Sequence, residues 1–213
     1  MPKNIDNVIE NLLKTLNPKQ KKVIWKRYGL GGKRETLQEI GDLLGITRER
    51  VRQIENQSLA KIRKEAREEL AELAETAKKH LLSAGGVRED NLFMQEVERL
   101  MDAGAAQNLK NKMRFFFFAA GEPLYEKETP SARSFWYTDG KAKARLASFT
   151  NQILQMCKSA ERTKVIENKE FTKNVENLPD AHLLSISKKF AWNPFGDFGL
   201  ANWPEINPKN VRD

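Results

Sequence analysis

The spacing of hydrophobic residues predicts two short helices joined by a tight turn between residues 36 and 63. The apolar positions of the first helix recur at helical spacing: Leu37, Ile40, Leu43 and Leu44. Thr36 and Glu39 have the form of a capping box, so we expect this helix to begin at Leu37. Gly45 can adopt the left-handed backbone that ends a helix, and Thr47 can cap a second helix shortly afterwards. This arrangement predicts a helix-turn-helix.

The second helix has an apolar side and a polar side. At about 100° per residue, the apolar side carries Val51, Ile54, Ser58 and Ile62. The opposite side carries Arg48, Glu49, Arg52, Gln53 and Asn56. Arg can donate twice to guanine, Gln can bond twice to adenine, and Glu can accept from cytosine. A polar helix face is more often a solvated surface, but the coincidence of caps, short turn and polar side favours DNA reading.

Further helices are predicted on both sides of this motif. Residues 5–16 have amphipathic spacing and form a helix that either packs on the next part of the chain or binds a partner. Asn17 followed by proline predicts the start of the next helix, which runs to about Tyr28. Residues 64–82 are rich in Ala, Leu and Glu, and they either continue the helix that begins at Arg48 or follow a break.

The centre of the chain predicts two more helices and a pair of strands. These are residues 88–101 and 107–119 for the helices, 103–106 for the turn between them, and 124–127 and 134–138 for the strands. Three helices followed by a two-stranded ribbon is the winged-helix order. The fold is therefore expected to be mainly α, with a helix-turn-helix domain (1–67), a winged-helix-like domain with a small β ribbon (68–139) and a second unit that is helical or winged-helix-like (140–213). The tail from residue 190 is dense in Trp, Phe, Pro and Gly, and we expect irregular loops pinned by aromatic side chains.

Four consecutive phenylalanines, residues 115–118, lie in one predicted helix. A base-stacking platform is conceivable for such a run. A core position combined with a partner surface is the favoured interpretation, because this half of the chain has no net positive charge. Four consecutive positions go around the whole helix, so at least one ring should face outward or meet another domain.

Positive charge is concentrated on the helix-turn-helix. The 213 residues carry a net charge of +8, and residues 17–67 alone contain 14 Lys and Arg against 6 Asp and Glu. Such a local excess is expected of a surface that follows phosphates. Binding to a membrane surface is disfavoured, because the apolar faces of this module are needed for its own core.

Other classes of site find little support. Cys157 is the single cysteine and the histidines number two, so an intrachain disulfide and a Cys/His zinc site are both excluded. We identify no nucleophile–base pair, nucleotide loop or small-molecule site, so we expect no enzymatic activity and no cofactor. The first residues lack the apolar core of a signal peptide, and no apolar run approaches the ~20 residues of a membrane span. We therefore expect a cytoplasmic protein.

The segment TLQEIGDLLGITRERVRQIENQSLAKIR, together with the upstream LNPKQKKVIWKRYGL, resembles the fourth conserved region of the sigma-seventy family. The resemblance covers residues 16–67. It implies a bacterial RNA polymerase initiation factor whose fourth region binds the minus-35 promoter element. Position by position, it assigns the base contacts to Arg48, Glu49 and Gln53.

The resemblance also assigns residues to the DNA backbone. Lys19 and Arg27 match positions that hold phosphates in the family, with Lys19 replacing the usual arginine and losing its fork geometry. Arg50 and Arg52 would contact the backbone or a protein partner. Two helix-capping residues, Thr36 and Thr47, are included in the same group.

The tail resembles, more weakly, a segment that precedes a winged-helix module in some sigma-like bacterial proteins. Taken together, the sequence predicts a transcription initiation factor or regulator that binds double-stranded promoter DNA and RNA polymerase core. The alternative is a polymerase-associated accessory protein whose sigma-like module docks on the polymerase flap with little DNA binding.

Overall fold

The computed structural model describes residues 5–100, 108–160 and 169–207. The chain is mainly α, as the sequence predicted. In chain order the elements are α1 (Ile5–Lys14), α2 (Pro18–Tyr28), α3 (Leu37–Leu44), α4 (Arg48–Glu65), α5 (Arg67–Ser83), β1 (Val87–Glu89), α6 (Asp90–Leu100), α7 (Leu109–Ala120), β2 (Leu124–Glu126), β3 (Phe135–Tyr137), α8 (Gly140–Ser159), α9 (Lys169–Glu176), a 3₁₀ helix (Ala181–Ser185), β4 (Phe190–Trp192) and β5 (Phe198–Leu200).

The described residues form two compact units. Those within 1–80 and 91–123 make up the N-terminal unit, and those within 81–90 and 124–213 make up the C-terminal unit. The N-terminal unit contains the predicted helix-turn-helix and adds α7 from much later in the chain. The predicted domain boundaries after residues 67 and 139 stay a prediction.

The helix-turn-helix has a small apolar core to which α2, α3 and α4 each contribute. Its fully or nearly buried members are Val23, Ile40, Val51 and Ile54. Both α2 and α3 begin with a capping box, headed by Asn17 and Thr36 respectively. Each of these helices ends at a glycine in the left-handed conformation, Gly29 and Gly45. The predicted bounds of both helices are thus confirmed.

A break separates α4 from α5. Ala66 has φ −119° and ψ 36°, which is not helical, and α5 begins at the next residue. Of the two alternatives left by the sequence, the break is therefore correct. Because Ala66 is buried, this corner is part of the core and not an exposed hinge.

The central elements match the predicted helices and strands except at residues 88 and 89, which were predicted to be helical and lie in an additional strand. The two predicted helices correspond to α6 and α7, while the predicted turn at residues 103–106 lies outside the described residues. The predicted strand pair corresponds to β2 and β3. The strand β1 was not predicted; it pairs antiparallel with β3, so that the sheet order is β1-β3-β2.

The expectation of irregular loops is wrong for residues 190–192 and 198–200, which are strands. Strands β4 and β5 pair antiparallel there, with Phe190 opposite Leu200 and Trp192 opposite Phe198. Phe198 is fully buried, and its ring centroid lies 4.9 Å from that of Trp192. The aromatic side chains do pack together in this segment, but they stabilise a two-stranded ribbon.

Candidate nucleic-acid interface

The turn between α3 and α4 sets the direction of the predicted recognition helix. Gly45 has φ 63°, the left-handed value expected from the sequence. A Cβ on Gly41 would lie 2.7 Å from the Ile46 carbonyl oxygen, so only glycine allows the chain to fold back this closely. The Thr47 hydroxyl then accepts a hydrogen bond from the Arg50 amide at 3.2 Å and caps α4.

The predicted inner side of α4 is the side that packs. Its buried residues are Val51, Ile54, Ser58 and Ile62. The one polar member, Ser58, donates its hydroxyl proton to the Ile54 carbonyl at 2.6 Å, so its burial leaves no unsatisfied group. The packing of this side therefore fixes the rotation of α4 about its own axis.

The opposite side of α4 is exposed and brings the predicted base-contacting residues together. Its exposed side chains are Arg48, Glu49, Arg50, Arg52, Gln53 and Asn56. Arg52 donates to both carboxylate oxygens of Glu49, at 2.9 and 2.7 Å. Arg50 donates to the side-chain oxygen of Gln53 at 3.1 Å. The face is thus a connected polar surface at the N-terminal end of α4.

Hydrogen bonds and charge keep this polar face ionised. The hydrogen bond from Arg52 is the main cause that lowers the pKa of Glu49 below its usual range, with smaller contributions from neighbouring groups including Arg48. The same bond raises the pKa of Arg52. At neutral pH the face therefore offers a carboxylate acceptor among guanidinium donors.

The two predicted phosphate contacts on α2 differ in their surroundings. Lys19 is exposed. Arg27 is half-buried; its Nε donates to Glu55 at 3.3 Å and its Nη1 donates to the Glu35 carbonyl at 3.3 Å. Arg27 therefore joins α2 to α4 and to the loop before α3, whatever its role toward DNA.

Thr36 and Thr47 both use their hydroxyl oxygens as helix caps. The Thr36 oxygen accepts from the Glu39 amide at 3.2 Å, and the Glu39 carboxylate accepts from the Thr36 amide at 2.6 Å. Capping therefore explains why threonine is present at both positions. A contact of either side chain with DNA or a partner stays a prediction.

Glu55 is a residue that sequence reasoning missed. Its side chain is only 12% exposed and accepts hydrogen bonds from Arg27 and from the Tyr28 hydroxyl, the latter at 3.0 Å. Burial, followed by the charge of Glu55, raises the pKa of Tyr28. The signal available in the sequence was a glutamate directly after Ile54, which belongs to the apolar side of α4. This signal could not identify the partners of Glu55, because they lie on another helix.

The other side of the helix-turn-helix is covered by α7. The rings of Phe115 and Phe118 lie 5.4 and 5.7 Å from the ring of Tyr28. Arg63 of α4 donates to the carbonyl of Ala119 at 2.9 Å and to that of Phe118 at 3.1 Å, where the last carbonyls of α7 lack helical partners.

Further contacts attach the beginning of α7. Asn111 donates to the carbonyls of Gly29 and Gly32 in the loop after α2, at 3.2 and 3.1 Å. Lys112 forms an ion pair with Asp6 of α1. Residues from both ends of α7 are thus bonded to the first 63 residues.

The run of phenylalanines serves the core. Phe115, Phe116 and Phe117 are fully buried, and Phe118 is partly buried against Tyr28. The core part of the favoured interpretation is confirmed, since these rings pack within the unit that contains the helix-turn-helix. The partner surface stays a prediction. Three buried rings are not accessible to stack on bases.

Metal clusters and membrane-spanning helices are both absent from the described ranges. No group of three or more His, Cys, Asp or Glu side chains there is arranged to hold a metal ion. Within the same ranges, no helix combines the length and apolar character needed to cross a bilayer.

Comparison with known proteins places the similarity on the helix-turn-helix. Residues 12–64 match the family model for sigma-70, region 4. The RNA polymerase sigma factors SigA of Microcystis aeruginosa and Synechocystis sp. are each 50% identical over 56 residues, which is 26% of this chain and 14% and 13% of those proteins. The chloroplastic sigma factor sigF of Arabidopsis thaliana is 43% identical over 58 residues, or 27% of this chain and 11% of that protein.

The matched part is small on both sides of the comparison. The chain spans about one seventh of the length of the SigA proteins that it matches. The resemblance of the tail to sigma-like proteins with winged-helix modules stays a prediction. Over residues 12–64, the resemblance of this chain to region 4 of the sigma-70 family is confirmed.

Proposed function

We propose that this chain is a sequence-specific DNA-binding transcription initiation factor or regulator. In this proposal α4 enters a major groove and reads a minus-35-like promoter element. Arg48, Glu49 and Gln53 contact bases, and Lys19 contacts a phosphate. The protein acts in the cytoplasm and performs no chemistry on the DNA.

The observation that carries the proposal is the exposed polar end of α4. Arg48, Glu49 and Gln53 lie together there, outside the apolar core, with donors and acceptors suited to guanine, cytosine and adenine edges. The local excess of positive charge in residues 17–67 supports approach to phosphates. The similarity to RNA polymerase sigma factors supports RNA polymerase core as the protein partner.

The proposal is tested by letting the full chain select duplexes from a pool of random DNA at two salt concentrations. We expect an enriched motif and an affinity that falls as salt rises, with a slope of about −0.9 in log–log form for each phosphate engaged. Salt-dependent retention without a motif would leave DNA binding but refute sequence reading. Binding to the polymerase flap without retention of any duplex would favour the accessory-protein alternative.

A further inference from the structure

The polar side of α4 holds a chain of hydrogen bonds that involves two of the proposed base-contacting residues. Arg52 donates through Nε and Nη2 to Glu49, at 2.9 and 2.7 Å. Arg50 donates through Nη1 to Gln53 at 3.1 Å. Each of these two base readers is therefore bonded to an arginine three positions away on the same helix.

The Arg52–Glu49 pair restricts orientation more than it stabilises the fold. Two parallel N–H···O bonds give the planar fork geometry of an arginine–carboxylate pair. The two side chains are 54% and 57% exposed, and pairs at such sites contribute little to folding stability. What the pair does is confine two long side chains to one mutual arrangement before DNA arrives.

The paired carboxylate can still accept a hydrogen bond from a base. A carboxylate has about four acceptor positions, and Arg52 occupies two of them. Gln53 also makes a side-chain hydrogen bond to this carboxylate. With about four acceptor positions in all, one stays available to the amino group of a cytosine. DNA binding therefore does not require the pair to break, and the arginine can hold Glu49 in place throughout.

We propose that Arg52 is a positioning residue that orients Glu49 and thereby sets the sequence preference at the base pair that Glu49 reads. This inference rests on the proposed function. A free glutamate side chain loses conformational entropy when it is ordered on binding, which lowers the affinity for the base pair that it reads by about two- to tenfold. Arg52 orders the Glu49 side chain before DNA binds, so this loss does not occur on binding. The low pKa of Glu49 is consistent with this role, because only the ionised carboxylate accepts at both oxygens.

A phosphate contact by Arg52 makes the opposite prediction. Loss of a phosphate contact weakens binding to all sequences about equally and reduces the salt slope by about 0.9. Loss of a positioning residue leaves the salt slope unchanged and lowers discrimination at one base pair. The two roles are therefore separated by measuring two duplexes at several salt concentrations.

The test uses the full chain and the duplex that the wild type selects from a random pool. A second duplex carries a changed base pair at the position where Glu49→Ala loses discrimination. The ratio of the two dissociation constants and the salt slope are measured for the wild type, Arg52→Ala, Arg52→Lys, Glu49→Ala and the Glu49→Ala/Arg52→Ala double variant. Arg99→Ala, an exposed arginine on α6 of the same unit, is the matched control. Thermal melting verifies that each variant is folded.

We expect Arg52→Ala to lower the ratio two- to tenfold without changing the salt slope. Arg52→Lys, which keeps the charge and loses the fork, should lower it similarly. In the Glu49→Ala background, removal of Arg52 should leave the ratio unchanged. Equal weakening on both duplexes with a smaller salt slope, or a wild-type ratio in Arg52→Lys, would overturn the proposal. A wild type that selects no motif would instead refute the proposed function itself.

Discussion

The attachment of α7 to the helix-turn-helix leads to a prediction about Phe115. Phe115 lies outside the segment that matches sigma-70 region 4, yet its ring is fully buried and contacts Tyr28 within that segment. We therefore expect Phe115→Ala to destabilise helices more than 50 residues earlier in the chain.

The magnitude follows from the complete burial of the ring. Truncating a buried phenylalanine to alanine costs about 3–5 kcal/mol in free energy of unfolding, a value that includes lost transfer energy and the cavity left behind. Whole domains are stable by about 5–15 kcal/mol, so this change removes a large part of the total. Phe195→Ala is a matched control, because that ring is 82% exposed and its truncation should fall within about 0.5 kcal/mol of zero.

Two measurements check this prediction. Urea unfolding followed by far-UV circular dichroism gives the change in free energy, and hydrogen exchange with mass spectrometry locates it. Because α7 contacts both α2 and α4, amide exchange in those two helices should rise in Phe115→Ala and stay unchanged in Phe195→Ala. Faster exchange confined to α7, with α2 and α4 as protected as in the wild type, would refute the reasoning.

Four further predictions concern the interface and the core. Arg48→Ala should weaken binding to the selected duplex by about 1–3 kcal/mol in a gel-shift titration, whereas Arg99→Ala should not; equal affinities would contradict a base contact. Lys19→Ala should weaken all duplexes alike and reduce the salt slope by about 0.9, and a sequence-dependent loss would argue against a phosphate contact. Thr47→Ala should lower the free energy of unfolding by about 1 kcal/mol in urea titrations, while Thr47→Ser should retain the cap; equal losses would exclude capping as the cause. Burial raises the pKa of Cys157 from 9.0 to about 11. The buried neutral thiol therefore stabilises the folded state fully below pH 9, and this contribution is lost as the pH rises toward 11. The difference in urea midpoint between wild type and Cys157→Ala should therefore shrink over that range, and a constant difference would contradict the shift.

Local signals in the sequence were sufficient for the helix-turn-helix. Capping side chains act within three residues, as at Thr36 and Thr47, and the left-handed glycine at Gly45 follows from the same short segment. The inner side of α4 was predictable for a similar reason, since helical periodicity alone separates Val51 and Ile54 from the exposed face.

Contacts between distant segments were not predictable in the same way. Strand β1 has only three residues, two of them charged, and its partner β3 lies almost 50 residues later. The four phenylalanines indicated that α7 must contact something on several sides, but nothing local identified Tyr28 as the partner. Glu55 belongs to the same class, because its burial depends on Arg27 and Tyr28 of α2.

The bonds of Glu55 have a consequence for insertions and deletions. Glu55 holds α4 against α2 at one rotational setting, because its carboxylate must meet Arg27 and the Tyr28 hydroxyl. One extra residue between Arg48 and Glu55 would rotate the N-terminal part of α4 by about 100° about the helix axis. The bonds of Glu55 to Arg27 and Tyr28 would stay in place. Such a chain would keep its composition, its charge and much of its attraction for nucleic acid, yet present a different set of side chains to the groove. Under the proposed function, the ability to hold DNA and the ability to recognise a sequence would thus be lost separately.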